Sequence, residues 1–503
     1  MPSDSIPKGF MRMAQPNILF ITTDQQRFDT CGPFKPSFMR TPHFDRLCSE
    51  GVLFRSGYSA CPLCVPARIE MMTGKQTTVS RGGDLAQQPT IAATDRTLPM
   101  YLRDQGYHTS FIGKMHVGRD RVRYGFDEVI QPDAYYRWLE RTGSLVQPMR
   151  HGLGQNELYP TMSTMPESLT LTSWIAEQSV EFLRYRRDPS QPFFLWCSFS
   201  KPHPPLDPPE PYYSMYRNCA IPDPVYGEWS EDAQCPAAMV RWRQMQGYDQ
   251  ITPEVIREAR SAYYGLITQI DYNIGRILSV LTDTGMLKDT LILYTSDHGE
   301  YLGDHHMGAK SFFHEPSSHV PFLLAPPRSW ETGWEGRVET TAVAHIDILP
   351  TLVRAAGGEP PSAGEGMDLV GMLKGELAAP RRYVDGMECQ NQGWFGPFAP
   401  CDYLGLTDGR WKYMYYFEGG TEQLFDLATD PQELHNLAGQ PAHAEQQTEM
   451  RAELIRRHTA RGTTAIQDGE LVTAPVLKVD PRRVRSGGWP GYHSDSAIGD
   501  IRH

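Results

Sequence analysis

Four times along this chain a short run of β-branched and aromatic residues stops at side chains able to carry chemistry. Ile18-Leu19-Phe20-Ile21 leads to Asp24 and Gln25, and Phe111-Ile112 leads to Lys114 and His116. Phe193-Phe194-Leu195-Trp196 leads to Lys201 and His203, and Leu291-Ile292-Leu293-Tyr294 to Asp297 and His298. Continuous apolar runs of this length suit strands buried on both faces. Helical patterns lie between them, at Thr41 to Gly51, Leu98 to Gln105, Ser168 to Arg186, Glu254 to Thr284 and Ile346 to Ala356, with a further strand at Val320 to Ala325. That alternation predicts an α/β fold, a large mostly parallel sheet sandwiched by helices. In an open sheet of this kind ligands sit beyond the carboxyl ends of the strands. If the four strands are parallel neighbours, their terminal side chains converge on one site.

The pattern changes after about residue 375. Tyr403 to Thr407, Trp411 to Phe417 and Gln423 to Leu427 are closely spaced and separated by Asp-Gly and Gly-Gly turns. Asp408-Gly409 is a hairpin signal. The reading is a catalytic domain over 1–375, then a smaller C-terminal α+β subdomain over 376–470. This second unit carries an antiparallel sheet and a helix near Ala442 to His458. A weakly periodic tail follows over 471–503, disordered or docked on the body or on a second subunit as a homo-oligomer contact. A length of 503 residues allows about two to three domains.

Charge and cysteine usage narrow the function class. The net charge of −12 argues against nucleic acid as the main partner, because phosphate binding needs basic clusters. No apolar run is long enough to span a bilayer, so no membrane partner is expected. No charged start leads into a long apolar stretch, so no signal peptide is expected. Nine cysteines in a large chain argue against a disulfide framework. Together these make the cytoplasm the expected location.

Two constellations carry chemistry. Asp24, Gln25, Asp297 and His298 form a candidate cation site, since carboxylate and amide oxygens suit Ca²⁺, Mg²⁺ or Mn²⁺ and a histidine tilts the set towards Mn²⁺. Strand-end aspartates also cap helices and turns, which is the competing reading of each one alone. Cys64-Val65-Pro66-Ala67-Arg68, continued by Met72-Thr73-Gly74-Lys75, is the strongest local signal. Pro66 suits a first helical turn. Cys64 then sits at a helix N-terminus that favours an anion, with Arg68 on the same face one turn on. The competing reading is a buried structural thiol. Cys61 and Cys64 form a single Cys-x-x-Cys with no second pair, which is weak support for zinc.

At these residues the chain resembles the type I sulfatases of the alkaline phosphatase superfamily. Their signature is Cys-x-Pro-x-Arg followed by Thr-Gly-Lys/Arg. The early Asp-Gln, Gly-Lys-Met-His at 113–116, Lys-Pro-His-Pro-Pro at 201–205, the stretch from Ser296 to His305 and Lys310 appear in family order. Leu424-Phe425-Asp426-Leu427, Asp430-Pro431 and Asn436-Leu437 look like that family's C-terminal subdomain.

The resemblance implies an alkaline phosphatase-like fold and sulfatase activity on aryl or alkyl sulfate monoesters. It implies that a separate formylglycine-generating enzyme oxidises Cys64 to formylglycine (3-oxoalanine). A hydroxyl of the hydrated aldehyde then attacks sulfur beside one divalent ion, expected as Ca²⁺ with Mn²⁺ or Mg²⁺ as alternatives. His203 matches the acid that protonates the leaving alcohol. His116 takes a proton as the aldehyde re-forms, Lys114 and Lys310 match sulfate-binding lysines, and Arg68 orients formylglycine. Cys64 also counts among the metal ligands, with Asp24, Gln25, Asp297 and His298. Many members have two acidic residues where this chain has Asp24-Gln25, and many have asparagine at His298. Asp-Gln resembles the subgroup of choline sulfatases and phosphonate monoester hydrolases, so phosphonate monoester or phosphodiester hydrolysis is the alternative. Gly-Lys-Met-His favours the sulfatase side.

The remaining signals read more plainly. His305, His306, His314 and His319 are expected as solvated loop histidines, with only His305 able to line the site. Tyr413 to Phe417 is expected as strand core. Arg81 and Asp84 are candidates to face the leaving group. The leaving-group pocket depends on loops near 76–95, 132–166 and 206–250.

Overall fold

A computed structural model describes residues 15–77, 90–118, 121–142, 147–148, 150–154, 156–231, 234–361, 364–377, 379–387 and 403–476. Its sheet is centred on β1 (Asn17–Asp24). The other strands are β2 (Val52–Phe54), β3 (His108–Gly113), β4 (Glu128–Ile130), β5 (Phe193–Pro202), β6 (Thr290–Ser296), β7 (Phe322–Ala325) and β8 (Arg337–Glu339). They lie in the order β4-β3-β5-β1-β6-β7-β2-β8. β3, β5, β1 and β6, the four runs that end in functional side chains, are therefore adjacent, and all their pairings are parallel. β7 alone among them runs the other way, between β6 and β2.

β1 shows why its sequence is apolar without alternation. Leu19 pairs with Leu195 on one side and Ile292 on the other. Ile18 and Phe20 point into one core, against Leu98, Leu102, Ile348 and Leu352. Leu19 and Ile21 point into the other, against Ile175, Ile270, Ile274 and Ile277. With both faces covered by helices, each position must be apolar. α1 (Pro42–Glu50) and the long α3 (Pro253–Asp283) cover the second face. α2 (Cys64–Thr73) sends Ile69 and Met72 into the first.

The helix expected over Ser168 to Arg186 is divided. Thr170 accepts the Ser173 N–H and starts an α-helix at Leu171, which ends at Glu181 and runs into a wider turn over Phe182–Arg186. β2, β4 and β8 have only three residues each and leave too little periodicity to be read from sequence.

The C-terminal sheet is antiparallel, with β9 (Val384–Met387), β10 (Tyr403–Thr407), β11 (Trp411–Tyr416) and β12 (Thr421–Asp426) in sequence order. Asp408-Gly409 turns β10 into β11 as expected, with Gly409 at φ +88°. α4 (Ala444–Ala460) packs Met450 and Leu454 on this sheet. Cys61 and Leu63, just before Cys64, join the same core, while Phe312 and Phe313, just after Lys310, pack on Tyr403, Met414 and Tyr416. The C-terminal sheet thus braces two loops that enter the catalytic end of the main sheet. No described helix is long and apolar enough to cross a membrane, and Cys31, Cys48, Cys64, Cys197 and Cys219 are thiols outside any disulfide. The tail from residue 477 lies outside the described residues.

Candidate active site and metal centre

The carboxyl ends of β3, β5, β1 and β6 meet the N-terminus of α2. β1 ends at Asp24, and Gln25 turns sharply in the left-handed region at φ +72°. That turn is held by Asp297, whose Oδ1 accepts the backbone N–H of both Gln25 and His298 at 3.0 Å. β3 delivers Lys114 through Gly113 at φ +114°, where an added Cβ would stand 1.9 Å from the Ser198 carbonyl oxygen. Only glycine fits that crossing.

Cys64 opens α2 and is 8% exposed. Its Sγ lies 3.2 Å from His298 Nε2, 3.8 Å from Asp24 Oδ1 and 3.9 Å from Lys114 Nζ. Asp24, Cys64, Asp297 and His298 each offer a ligand atom within 4.8 Å of the others. His298 donates its Nδ1–H to the Gly299 carbonyl at 3.0 Å, so its Nε2 presents a lone pair to the cluster. This second hydrogen bond is how ligand histidines are commonly oriented. Two carboxylates and an imidazole lone pair fit a hard or borderline divalent cation.

Arg68 is buried beneath the cluster. Its Nε donates to Asp297 Oδ2 at 2.8 Å, Nη2 to Asp24 Oδ2 at 3.1 Å, and Nη1 to Ser198 Oγ at 2.9 Å. Lys114 Nζ reaches Asp24 Oδ2 at 2.5 Å. Lys310 Nζ donates to Gln25 Oε1 at 2.6 Å and meets His203 Nε2 at 3.1 Å. His203 Nδ1 donates to the Pro204 carbonyl at 2.8 Å. His116 is exposed at the mouth, with φ +48°.

These charges shift one another. Burial pushes the Cys64 thiol up, but the Lys114 and Lys310 charges overcome it and hold it well below its ordinary value. Burial would also raise Asp24, yet Lys114, His203 and Arg68 hold it below the usual carboxylate range. Asp297 is raised by burial and by Asp24. His203 is lowered to about 4 by burial and by the Lys310 and Lys114 charges. Under a net charge of −12, the chain therefore keeps a local cationic pocket at a helix N-terminus, a setting for a tetrahedral oxyanion.

The ten residues given catalytic or metal-binding roles in the sequence analysis all sit in this site. Lys201 does not; it pairs with Asp207 Oδ1 at 2.5 Å. The expectation of solvated histidines is corrected. His305 and His314 are fully buried, and His314 stacks on Trp229 while hydrogen-bonding Tyr301 and Gln423. The C-terminal sheet covers that loop, which the loop's own sequence does not show. Arg81 and Asp84 lie outside the described residues. Ser198 and Glu300 were missed from sequence: Ser198 bridges Arg68 to the Lys114 carbonyl, and Glu300 accepts from Gln25 Nε2. Glu300 had a signal, its place two residues beyond His298.

The sulfatase family profile matches residues 16–358, spanning all of these side chains. The chain belongs to the sulfatase family. A second profile, for the N-sulphoglucosamine sulphohydrolase C-terminal region, matches residues 303–460 of this sulfatase. An arylsulfatase of Clostridium perfringens is 33% identical over 89% of this chain and 95% of its own. A choline-sulfatase of Rhizobium meliloti is 31% identical over 86% of this chain and 84% of its own. Among solved structures, the phosphonate monoester hydrolase of Agrobacterium radiobacter superposes with a TM-score of 0.77 at 26% identity, covering 91% of this chain and 99% of that one. This sulfatase is a sulfuric ester hydrolase on an alkaline phosphatase-like fold.

Proposed function

We propose that this sulfatase hydrolyses small aryl or alkyl sulfate monoesters at residue 64, after a maturation enzyme has converted Cys64 to formylglycine. The observation that carries the reading is Cys64 at the start of α2, with its Sγ 3.2 Å from His298 Nε2, 3.8 Å from Asp24 Oδ1 and 3.9 Å from Lys114 Nζ, and with Arg68 bound to Asp24 and Asp297 beneath it. Asp24, Gln25, Asp297 and His298 would hold one divalent ion, Ca²⁺ first and Mn²⁺ or Mg²⁺ as alternatives, which when bound would polarise the sulfate oxygens. Formylglycine would supply, as its hydrate, an attacking hydroxyl and a second hydroxyl from which the aldehyde re-forms.

The side chains of this chain do the rest. Lys114 and Lys310 offer ammonium groups to the sulfate oxygens, and Arg68 keeps the two aspartates and α2 in register. His203 exchanges protons through Nε2, since Nδ1 is committed to the Pro204 carbonyl. At rest its imidazole is neutral and accepts from Lys310. An entering sulfate offsets the lysine charges that depress it, so proton affinity rises when an acid is needed for the leaving alcohol. His116, at the mouth of the site, is assigned to take the proton lost as sulfate leaves.

A second reading is phosphonate monoester hydrolysis. It is favoured by the uncharged Gln25 beside Asp24 and by the similarity to the Agrobacterium radiobacter enzyme. The matured protein assayed on matched aryl sulfate and aryl phosphonate monoesters decides between them. The expected result is the larger kcat/KM on the sulfate; a larger value on the phosphonate reverses the assignment.

A further inference from the structure

Glu300 is a buried carboxylate that the proposed chemistry leaves unused. It is 1% exposed. Its Oε1 accepts the Leu302 backbone N–H at 3.0 Å, and its Oε2 accepts from Gln25 Nε2. At the other end of the same amide, Gln25 Oε1 accepts from Lys310 Nζ at 2.6 Å, and that ammonium also reaches His203 Nε2 at 3.1 Å. An ionised carboxylate only accepts and an ammonium only donates. Gln25 is itself 1% exposed, so no solvent competes for either end of its amide. Between such partners one orientation satisfies both ends: nitrogen towards Glu300, oxygen towards Lys310.

We propose that Glu300 is a positioning residue that locks the Gln25 amide with its oxygen facing the anion and cation pocket, and through Gln25 holds Lys310 beside His203. A flipped amide would turn two N–H donors on Lys310 and on any cation in the pocket. A carboxylate at position 25 would need no such lock, because its two oxygens are equivalent. The amide needs one. The inference rests on the site assignment proposed above.

The test compares the wild type with Glu300→Ala, Gln25→Glu and the double variant Gln25→Glu/Glu300→Gln. Mn²⁺ affinity is measured by calorimetry on protein carrying unconverted Cys64, and kcat and KM for an aryl sulfate on matured protein. Glu300→Ala is expected to weaken Mn²⁺ binding and lower kcat by about 10–100-fold each, the usual loss when a ligand's supporting partner is removed. Gln25→Glu alone sets two carboxylates against each other and is expected to lose affinity as well. The double variant rebuilds a carboxylate–amide pair with its direction reversed and should recover most of that loss. A merely structural Glu300 would not show that rescue. Losses that simply multiply in the double variant, or unchanged Mn²⁺ affinity in Glu300→Ala, overturn the proposal. A wild type that binds no Mn²⁺ and turns over no aryl sulfate overturns the site assignment first, and this inference with it.

Discussion

Arg68 Nε stands 2.8 Å from Asp297 Oδ2, with both side chains almost completely buried. Through its other nitrogens the same guanidinium reaches Asp24, Ser198 and the Lys114 carbonyl. One cation thus ties α2 to the ends of β1, β3, β5 and β6. A lysine ammonium is a point charge on a flexible stem and cannot span these partners. Arg68→Lys is therefore expected to leave a buried carboxylate uncompensated, at a cost of about 3–5 kcal/mol, and to reduce turnover severely. Thermal denaturation and kcat together check this; an unchanged Tm would contradict it.

Cys64→Ala removes the reacting group without disturbing the core beneath it. Sulfate-ester turnover is expected to fall by about a thousandfold or more, with a Tm close to that of the parent. Peptide mass spectrometry of the wild type after co-expression with a maturation enzyme should show the aldehyde in place of the Cys64 thiol. Full activity in Cys64→Ala would rule out residue 64 as the nucleophile.

Chelation is expected to abolish turnover, and divalent ions to restore it. Asp24→Asn and Asp297→Asn should each weaken cation binding and lower kcat by about 100-fold or more. A ligand that binds only the folded state stabilises it by mass action, so Tm should rise with cation concentration in the wild type and much less in either variant.

Several histidines are buried away from the candidate metal ligands. His305 and His458 are each lowered to about 4, in both cases chiefly by burial. The unfolded chain then binds more protons than the native one between about pH 6.5 and 4. Stability rises with pH across that window and falls as the solution is acidified through it. Each such imidazole contributes a slope of about 1.4 kcal/mol per pH unit. Denaturant titrations of His458→Gln at several pH values should show a shallower acid limb than the wild type; identical slopes would contradict the assignment.

Lys412 of β11 is fully buried and pairs with Glu315 Oε1 at 2.5 Å and Glu433 Oε1 at 3.1 Å. Glu315 belongs to the segment that follows Lys310, so this cluster joins the C-terminal sheet to the site. Lys412→Met is expected to remove the ammonium that joins these two buried acidic side chains and cost about 3–5 kcal/mol. Amide exchange should quicken around Ser311 to Glu315, and thermal denaturation reads the global loss.

Much of the site was legible because its chemistry sits at strand ends. Asp24, Lys114, His203 and Asp297 each follow an apolar run, and Cys64 precedes Arg68 by one helical turn. The three-residue strands β2, β4 and β8 were not legible, since hydrogen bonding to neighbouring strands, and not local propensity, makes them strands. His305 and His314 were misread as solvated because burial there comes from distant segments, from Trp229 over both rings and from Gln423 and Phe425 of β12 against His314.

The sequence by itself determined the periodicity of the elements, the order in which the reactive side chains arrive and the helix start that carries Cys64. These are local properties, set by side-chain spacing and backbone preference. Only the tertiary structure decided that β3, β5, β1 and β6 are neighbours, that Lys310 lies against His203, and that Glu300 faces the Gln25 amide. Those contacts join segments up to 275 residues apart. They depend on which apolar faces pack together, and that depends on the fold as a whole.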